Sequence, residues 1–181
     1  MRRVFRCAIV AAGVLFSVNG YGAQAAGDAS VRSKVDPAEI LATGKADLET
    51  VLLSRKVAYQ EIIGIGKCGG FFAEMHEAEK KSHPAGKLSK SLAPGYGFAG
   101  IYLVGQYAKI ESSEKMDAAI LLTVFEALHK ARLDAKASAH VLFEDAESNK
   151  EKISIQTNLC VRGFPMVMYI LSQRKKPDQN K

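Results

Sequence analysis

Residues 64–79 of this 181-residue chain read Gly64-Ile65-Gly66-Lys67-Cys68-Gly69-Gly70-Phe71-Phe72-Ala73-Glu74-Met75-His76-Glu77-Ala78-Glu79. The stretch combines a cysteine, four glycines and a His/Glu cluster, so inferences about disulfides, cofactors and metals all depend on it. Apolar residues recur at steps of three and four on both sides of the glycines, which is the periodicity of an amphipathic helix. The pattern predicts a long helix from near Ala46 to near Lys81, and it leaves open whether residues 64–70 continue or kink that helix.

The cysteine of this stretch has one predicted partner. The chain has three cysteines, and Cys7 lies in a segment that we expect to be removed. Two cysteines left in an exported domain are usually oxidised to each other, so we predict a disulfide between Cys68 and Cys160. The bridge would close a loop of about 93 residues, which stabilises the fold by about 4–5 kcal/mol on the chain-entropy model. Two free buried thiols or a reactive pair are the alternatives.

The N-terminal residues have the features of an export signal. Three arginines precede an apolar run at 7–18, and the following alanines fit the small-x-small rule of signal peptidase sites. We therefore expect cleavage after Ala25, with Ala23 as the second choice, and a periplasmic or secreted bacterial protein. The apolar run is shorter than the roughly 20 residues of a membrane span, so no stable span is expected after cleavage. The predicted parts are a signal peptide at 1–25, a disordered lead-in at 26–35, one helical domain at 36–173 and a flexible basic tail at 174–181.

The charge of the remaining domain argues against two classes of partner. Removal of the signal takes away three of the 25 basic residues and none of the 19 acidic ones, which lowers the net charge from +6 to +3. A strongly basic domain would have favoured nucleic acid or an anionic membrane surface, whereas this excess is mild. The aromatic residues do not alternate with basic ones as on a nucleic-acid platform, so nucleic acid is not an expected partner.

Helix signals continue through the first half of the domain. Asp36 and Pro37 form a good helix start, and Gly44 is predicted to end that short helix. The glycine, serine and lysine content of residues 86–94 predicts a loop. Residues 96–110 are apolar with one continuous face, so a buried helix is favoured over a strand.

The second half of the domain is also predicted to be helical. Ser112 or Ser113 is predicted to cap a helix that runs from Glu114 past Arg132, and a further helical segment follows to Ala146. Residues 153–156 fit either a helix or a strand. Together the elements predict an all-α fold: a single-domain helical bundle of about five or six helices, braced by one disulfide.

The glycines match a dinucleotide-binding fingerprint, Gly64-x-Gly66-x-x-Gly69. A real fingerprint needs a strand before it, a helix whose N-terminal amides hold a pyrophosphate, and an acidic residue about 20 positions further on. The chain offers neither a second strand nor an acid at that place, so no cofactor is predicted. We expect instead that the glycines beside Cys68 let the helix that carries Cys160 come near, since a disulfide needs Cα atoms about 5–6 Å apart.

Two His/Glu pairs are the weak candidates for a metal site: His76 with Glu79, and Glu126 with His129. Each pair has i, i+3 spacing and shares a helical face, as in carboxylate-bridged metal sites, which need two such pairs. Apolar residues already define a face of each helix, so solvated polar faces are favoured and no metal site is predicted. No serine or cysteine lies in a recognisable catalytic setting, and the chain is predicted not to be an enzyme.

The sequence favours binding over catalysis. We expect an exported domain that binds another exported or envelope protein, as an accessory factor of an envelope or secretion system or as an inhibitor or immunity-type protein. Loops at 82–96 and 163–165 are the expected contact surfaces. An alternative is a carrier of a lipid or other amphiphile, with residues 96–106 and 166–171 lining a cavity between helices. A third is a helical metal-dependent enzyme built on the two His/Glu pairs.

Overall fold

Six α-helices make up nearly all of the chain that the computed structural model describes, residues 36–82, 87–111 and 117–174, and this part contains no strand. The helices are α1 Pro37–Leu52, α2 Arg55–Ser82, α3 Lys87–Glu111, α4 Ala118–Glu144, α5 Lys150–Arg162 and α6 Phe164–Arg174. The predicted all-α fold of about five or six helices is therefore confirmed. The predicted signal peptide, the lead-in and residues 175–181 of the predicted tail lie outside the described residues. None of the described helices is both long and apolar enough to cross a membrane.

The centre of the fold is α2, which is continuous through residues 64–70 and packs against both α3 and α4. Gly66 faces Leu128 and Gly70 faces Arg132, so α4 runs in the same direction as α2. Side chains from these three helices and from α6 form one apolar core, whose largest fully buried members are Tyr96, Phe71, Phe72, Ile62, Leu103, Ile170 and Val167.

Two glycines of α2 let α4 approach more closely than any side chain would allow. A Cβ atom added at Gly66 would lie 2.8 Å from the carbonyl oxygen of Leu128, and one added at Gly70 would lie 2.1 Å from that of Arg132. Both distances are well inside the contact distance of carbon and oxygen atoms. These glycines do allow close helix packing, but the prediction that they admit the helix carrying Cys160 is wrong for Gly66 and Gly70, which face α4.

The first helix differs from its prediction, because Gly44 lies in the middle of α1 and does not end it. A Cβ atom at this position would lie 2.0 Å from the carbonyl oxygen of Pro165, so the glycine allows a close contact with the start of α6. Leu48 and Val51 are buried further along the same helix. A break at residues 53–54 separates α1 from α2, so the single long helix predicted for this region is in fact two helices.

The predicted loop at residues 86–94 is wrong, because α3 is already helical from Lys87. Ser89 and Leu92 are buried, so this polar and basic segment has an inward side that its composition does not suggest. Pro94 lies inside α3, where it removes one backbone hydrogen bond of the helix.

One continuous helix, α4, replaces the two helical segments predicted for the second half of the domain. Its N-cap is Asp117, whose side-chain oxygen accepts hydrogen bonds from the backbone N–H groups of Ala119 and Ile120. The predicted cap at 112–113 is therefore wrong for α4, and residues 112–116 lie outside the described residues. A side-chain cap of this kind stabilises a helix by about 1 kcal/mol.

The predicted disulfide is present and fastens α5 to the middle of α2. The Cα atoms of Cys68 and Cys160 are 5.4 Å apart. The Tyr96 hydroxyl donates a hydrogen bond to the carbonyl oxygen of Cys160, so α3 holds the same point of α5. Residues 153–156 are helical, and α5 otherwise packs only lightly against α2 and α6. The position of α5 therefore depends strongly on this one bridge.

We expect Gly70→Ala and Gly64→Ala to change stability in opposite directions. The first introduces a Cβ atom against the α4 backbone and should lower the free energy of unfolding by about 1–3 kcal/mol. For a Cβ atom added at Gly64, the nearest atom would be Oε2 of Glu61 at 4.0 Å, so the methyl group has room. Gly64→Ala should therefore raise the free energy of unfolding by about 0.5–1 kcal/mol, because alanine is the better helix former. Urea unfolding of both variants measures the difference, and equal effects would contradict the close-packing role of Gly70.

Removal of the disulfide by the double substitution Cys68→Ala, Cys160→Ala should lower the free energy of unfolding by about 4–5 kcal/mol. Because α5 has little other packing, its backbone amides should lose hydrogen-exchange protection before those of α2 and α4 do. Chemical reduction of the unmodified protein is the control and should reproduce the same pattern. Uniform loss of protection across all six helices would show that the bridge does not act mainly on α5.

Candidate functional site

The predicted metal pair His76 and Glu79 faces α3 and shares one partner there. The hydroxyl of Ser89, which is 1% exposed, donates a hydrogen bond to Glu79 Oε2 and lies 3.3 Å from Nδ1 of His76. The Ser89 oxygen therefore lies between the carboxylate of Glu79 and the imidazole of His76. The three side chains tie the end of α2 to the beginning of α3.

The second predicted pair, Glu126 and His129, lies on α4 and is exposed. The structure does not bring the two pairs together. Leu128 lies level with Gly66, and His76 is ten residues further along α2, a distance of about 15 Å in a helix. Within the described ranges, no group of three or more His, Cys, Asp or Glu side chains is arranged to hold a metal ion.

A polar link that sequence analysis missed joins α2 to α4. Nδ1 of His140 lies 2.7 Å from Oε1 of the buried Glu74, and Nε2 of the same ring lies 3.5 Å from Oε1 of Glu144. One signal for it was available: Glu74 follows Gly70 by four residues and therefore shares the face of α2 that meets α4. Glu74 and the half-exposed His140 also line a second depression of about 530 Å³, together with Glu77, Leu133, Lys136 and Ala137.

Ionisable groups also cluster beside the disulfide. Burial raises the pKa of the Glu61 carboxyl, and the nearby carboxylate of Asp47 raises it further. The pKa of the Tyr96 hydroxyl is raised by burial and then by the negative charge of Glu61, so the phenol keeps the proton that it donates to Cys160. This cluster joins α1, α2, α3 and α5 where the bridge is made.

A depression with an apolar lining lies between α2 and α4 and is called here the α2–α4 groove. Its volume is about 480 Å³. Phe71 and Ala139 are buried in its floor, whereas Lys67, Lys130 and Asp134 are exposed at its rim. No described carboxylate lies within ion-pair distance of either lysine. The full lining is Tyr59, Ile63, Lys67, Phe71, Ala127, Lys130, Ala131, Asp134, Ala135, Ser138, Ala139, Leu142 and Gln156.

A row of exposed apolar side chains runs along the opposite side of α4 and is called here the α4 stripe. It consists of Leu122, Phe125 and Leu133, which are 57%, 43% and 52% exposed. Steps of three and eight residues place them on one side of the helix, with His129 between the last two.

The segments expected to line a carrier cavity are part of the core instead. Residues 96–106 contribute Tyr96 and Leu103 to the buried cluster, and residues 166–171 contribute Ile170. The glycine fingerprint lies inside α2, where no helix begins, so it does not present the N-terminal amides that a pyrophosphate needs.

Comparison of the chain with models of known protein families, with curated proteins and with solved structures finds no match. The functional interpretation therefore depends on the residues themselves. The described polar clusters link helices to one another, whereas the α2–α4 groove and the α4 stripe are apolar surfaces that face outward. These two surfaces are the candidate functional sites.

The raised pKa of Glu61 predicts a pH-dependent effect of Glu61→Gln. Between the unfolded and the folded pKa the native protein binds more protons than the unfolded chain, so stability falls as pH rises through that interval. The substitution removes this loss and should raise the melting temperature at pH 7 more than at pH 4. Asp47→Asn should act in the same direction and more weakly, because its charge is the smaller cause of the shift. Thermal unfolding at the two pH values tests both; an equal effect at both would contradict the assignment.

Proposed function

We propose that this chain is an exported, periplasmic helical domain that binds another exported or envelope protein and has no catalytic activity. An accessory factor of an envelope or secretion system and an inhibitor or immunity-type protein are the two roles that suit it. The α4 stripe is the proposed contact surface, in place of the loops expected from sequence.

The observation that carries this proposal is the position of the stripe on a helix that is already well packed. α4 buries Val124, Leu128 and Ala131 against α2 and α3. These three residues belong to the core, whereas the side chains of the stripe do not. Single exposed apolar residues are ordinary, but a row of large ones on one helix face is typical of a protein contact. The stripe spans twelve residues, from Leu122 to Leu133, which is about 16 Å of helix.

The disulfide supports the proposed location of the protein. Structural bridges persist in oxidising compartments such as the bacterial periplasm and are rare in the cytosol. The bridge between Cys68 and Cys160, together with the N-terminal signal pattern, is therefore consistent with export. A braced helical scaffold also loses little conformational freedom when it binds, which favours affinity.

A photo-crosslinking amino acid placed at Phe125 or Leu133 in the native host tests the stripe directly. We expect a crosslink to one other envelope protein in the periplasmic fraction. The triple substitution Leu122→Gln, Phe125→Gln, Leu133→Gln should weaken that complex at least tenfold, because it removes the apolar contact. The fold should be retained, since exposed positions contribute little to stability.

Ile101 of α3 provides the matched control, because it is 55% exposed and lies outside the stripe. The crosslinker at Ile101 should capture nothing specific, and Ile101→Gln should leave the complex intact. Crosslinks only between copies of this chain, or equal capture from Ile101, would contradict the proposal.

A further inference from the structure

The α2–α4 groove is separate from the α4 stripe and takes no part in the protein contact proposed above. Ala127, Ala131, Ala135 and Ala139 recur at every fourth residue of α4 and line one wall. Ala131 and Ala139 are buried and Ala127 and Ala135 are half-buried, so these small side chains form one wall of an open trough along the two helices. On α2 the lining extends from Tyr59 to Phe71, which is about 18 Å of helix.

The distribution of polarity across this trough is that of a site for an amphiphile. Phe71 is buried at the bottom, and Ile63 and Leu142 are half-buried beside it, so an alkyl chain lying there would leave water. The ammonium groups of Lys67 and Lys130 stand at the rim. A volume of about 480 Å³ is also within the range of small-molecule sites.

The charge of the rim selects the head group. Two lysines and Asp134 give the lining a net charge of +1, which a single negative charge would neutralise and a doubly charged phosphomonoester would exceed. A carboxylate can also accept charge-assisted hydrogen bonds from both ammonium groups.

From these observations we infer that the α2–α4 groove binds a long-chain fatty acid, with its alkyl chain along the alanine wall and its carboxylate between Lys67 and Lys130. This inference is independent of the proposed protein contact, because the groove and the α4 stripe share no residue and lie on different sides of α4.

Titration of the delipidated protein, purified after expression of the whole chain, with palmitate tests the inference. We expect saturable binding of one molecule per chain, by calorimetry and by native mass spectrometry. The double substitution Lys67→Glu, Lys130→Glu should weaken binding at least tenfold. Ala135→Leu fills the trough and should also weaken binding at least tenfold, without a change of charge.

The control variant Lys45→Glu, Lys90→Glu carries the same change of net charge on exposed residues outside the lining and should bind palmitate normally. Hexadecanol, which has the alkyl chain without the carboxylate, should bind at least tenfold more weakly than palmitate. The inference is overturned if palmitate does not saturate, if hexadecanol binds equally well, or if the control variant loses as much affinity as the groove variant. Far-UV circular dichroism shows whether each variant is folded.

Discussion

The structure depends on the close approach of the α2 and α4 backbones. Gly66 and Gly70 present no side chain to α4, so the carbonyl oxygens of Leu128 and Arg132 lie where a Cβ atom would otherwise be. Glycine within a helix costs about 1 kcal/mol relative to alanine, and contacts along the two helices must offset that cost. The buried residues around this contact, from α2, α3, α4 and α6, form a single cluster. Because the backbones of α2 and α4 lie so close together, side chains from these four helices can pack into one core.

The remaining elements are fastened at a second place, the junction of α5 and α6. Three contacts lie within residues 160–165. Cys160 is bridged to α2, and its carbonyl oxygen accepts a hydrogen bond from Tyr96 of α3. The carbonyl oxygen of Pro165 lies against Gly44 of α1. The three contacts differ in chemistry: a covalent bond, a buried hydrogen bond and a backbone contact. The first two matter most for α5, whose buried residue is Cys160, whereas α1 also places Leu48 and Val51 in the core. The junction thus fastens α5 to α2 and α3 and brings α1 against the start of α6.

The sequence was sufficient for the fold class and the disulfide, and insufficient for helix ends and helix neighbours. Periodicity and an even number of remaining cysteines are local or countable features, so the helical bundle and its bridge could be predicted. Gly44 was predicted to end a helix because glycine is unfavourable within an isolated helix, and residues 86–94 were predicted to be a loop from their composition. Packing in the folded protein outweighs these local preferences. Gly44 lies against the start of α6, and Leu92 is buried near Pro94 within α3. The groove could not be foreseen, since it depends on which alanines of α4 stand beside α2.

The polar pairs that suggested chemistry serve the packing of helices. His76 and Glu79 bind a buried serine of α3, and Glu74 binds His140 of α4, so their hydrogen-bonding capacity is used within the fold. The surfaces proposed above for other molecules are formed mainly by apolar side chains that the core leaves uncovered. α4 has such residues on more than one side, and a helix that is apolar on several sides is normally covered by something. Its inner face is covered by α2 and α3. The groove and the stripe are the sides that remain, and they differ in what they can hold: a narrow charged trough suits a small amphiphile, whereas a convex apolar row suits another protein.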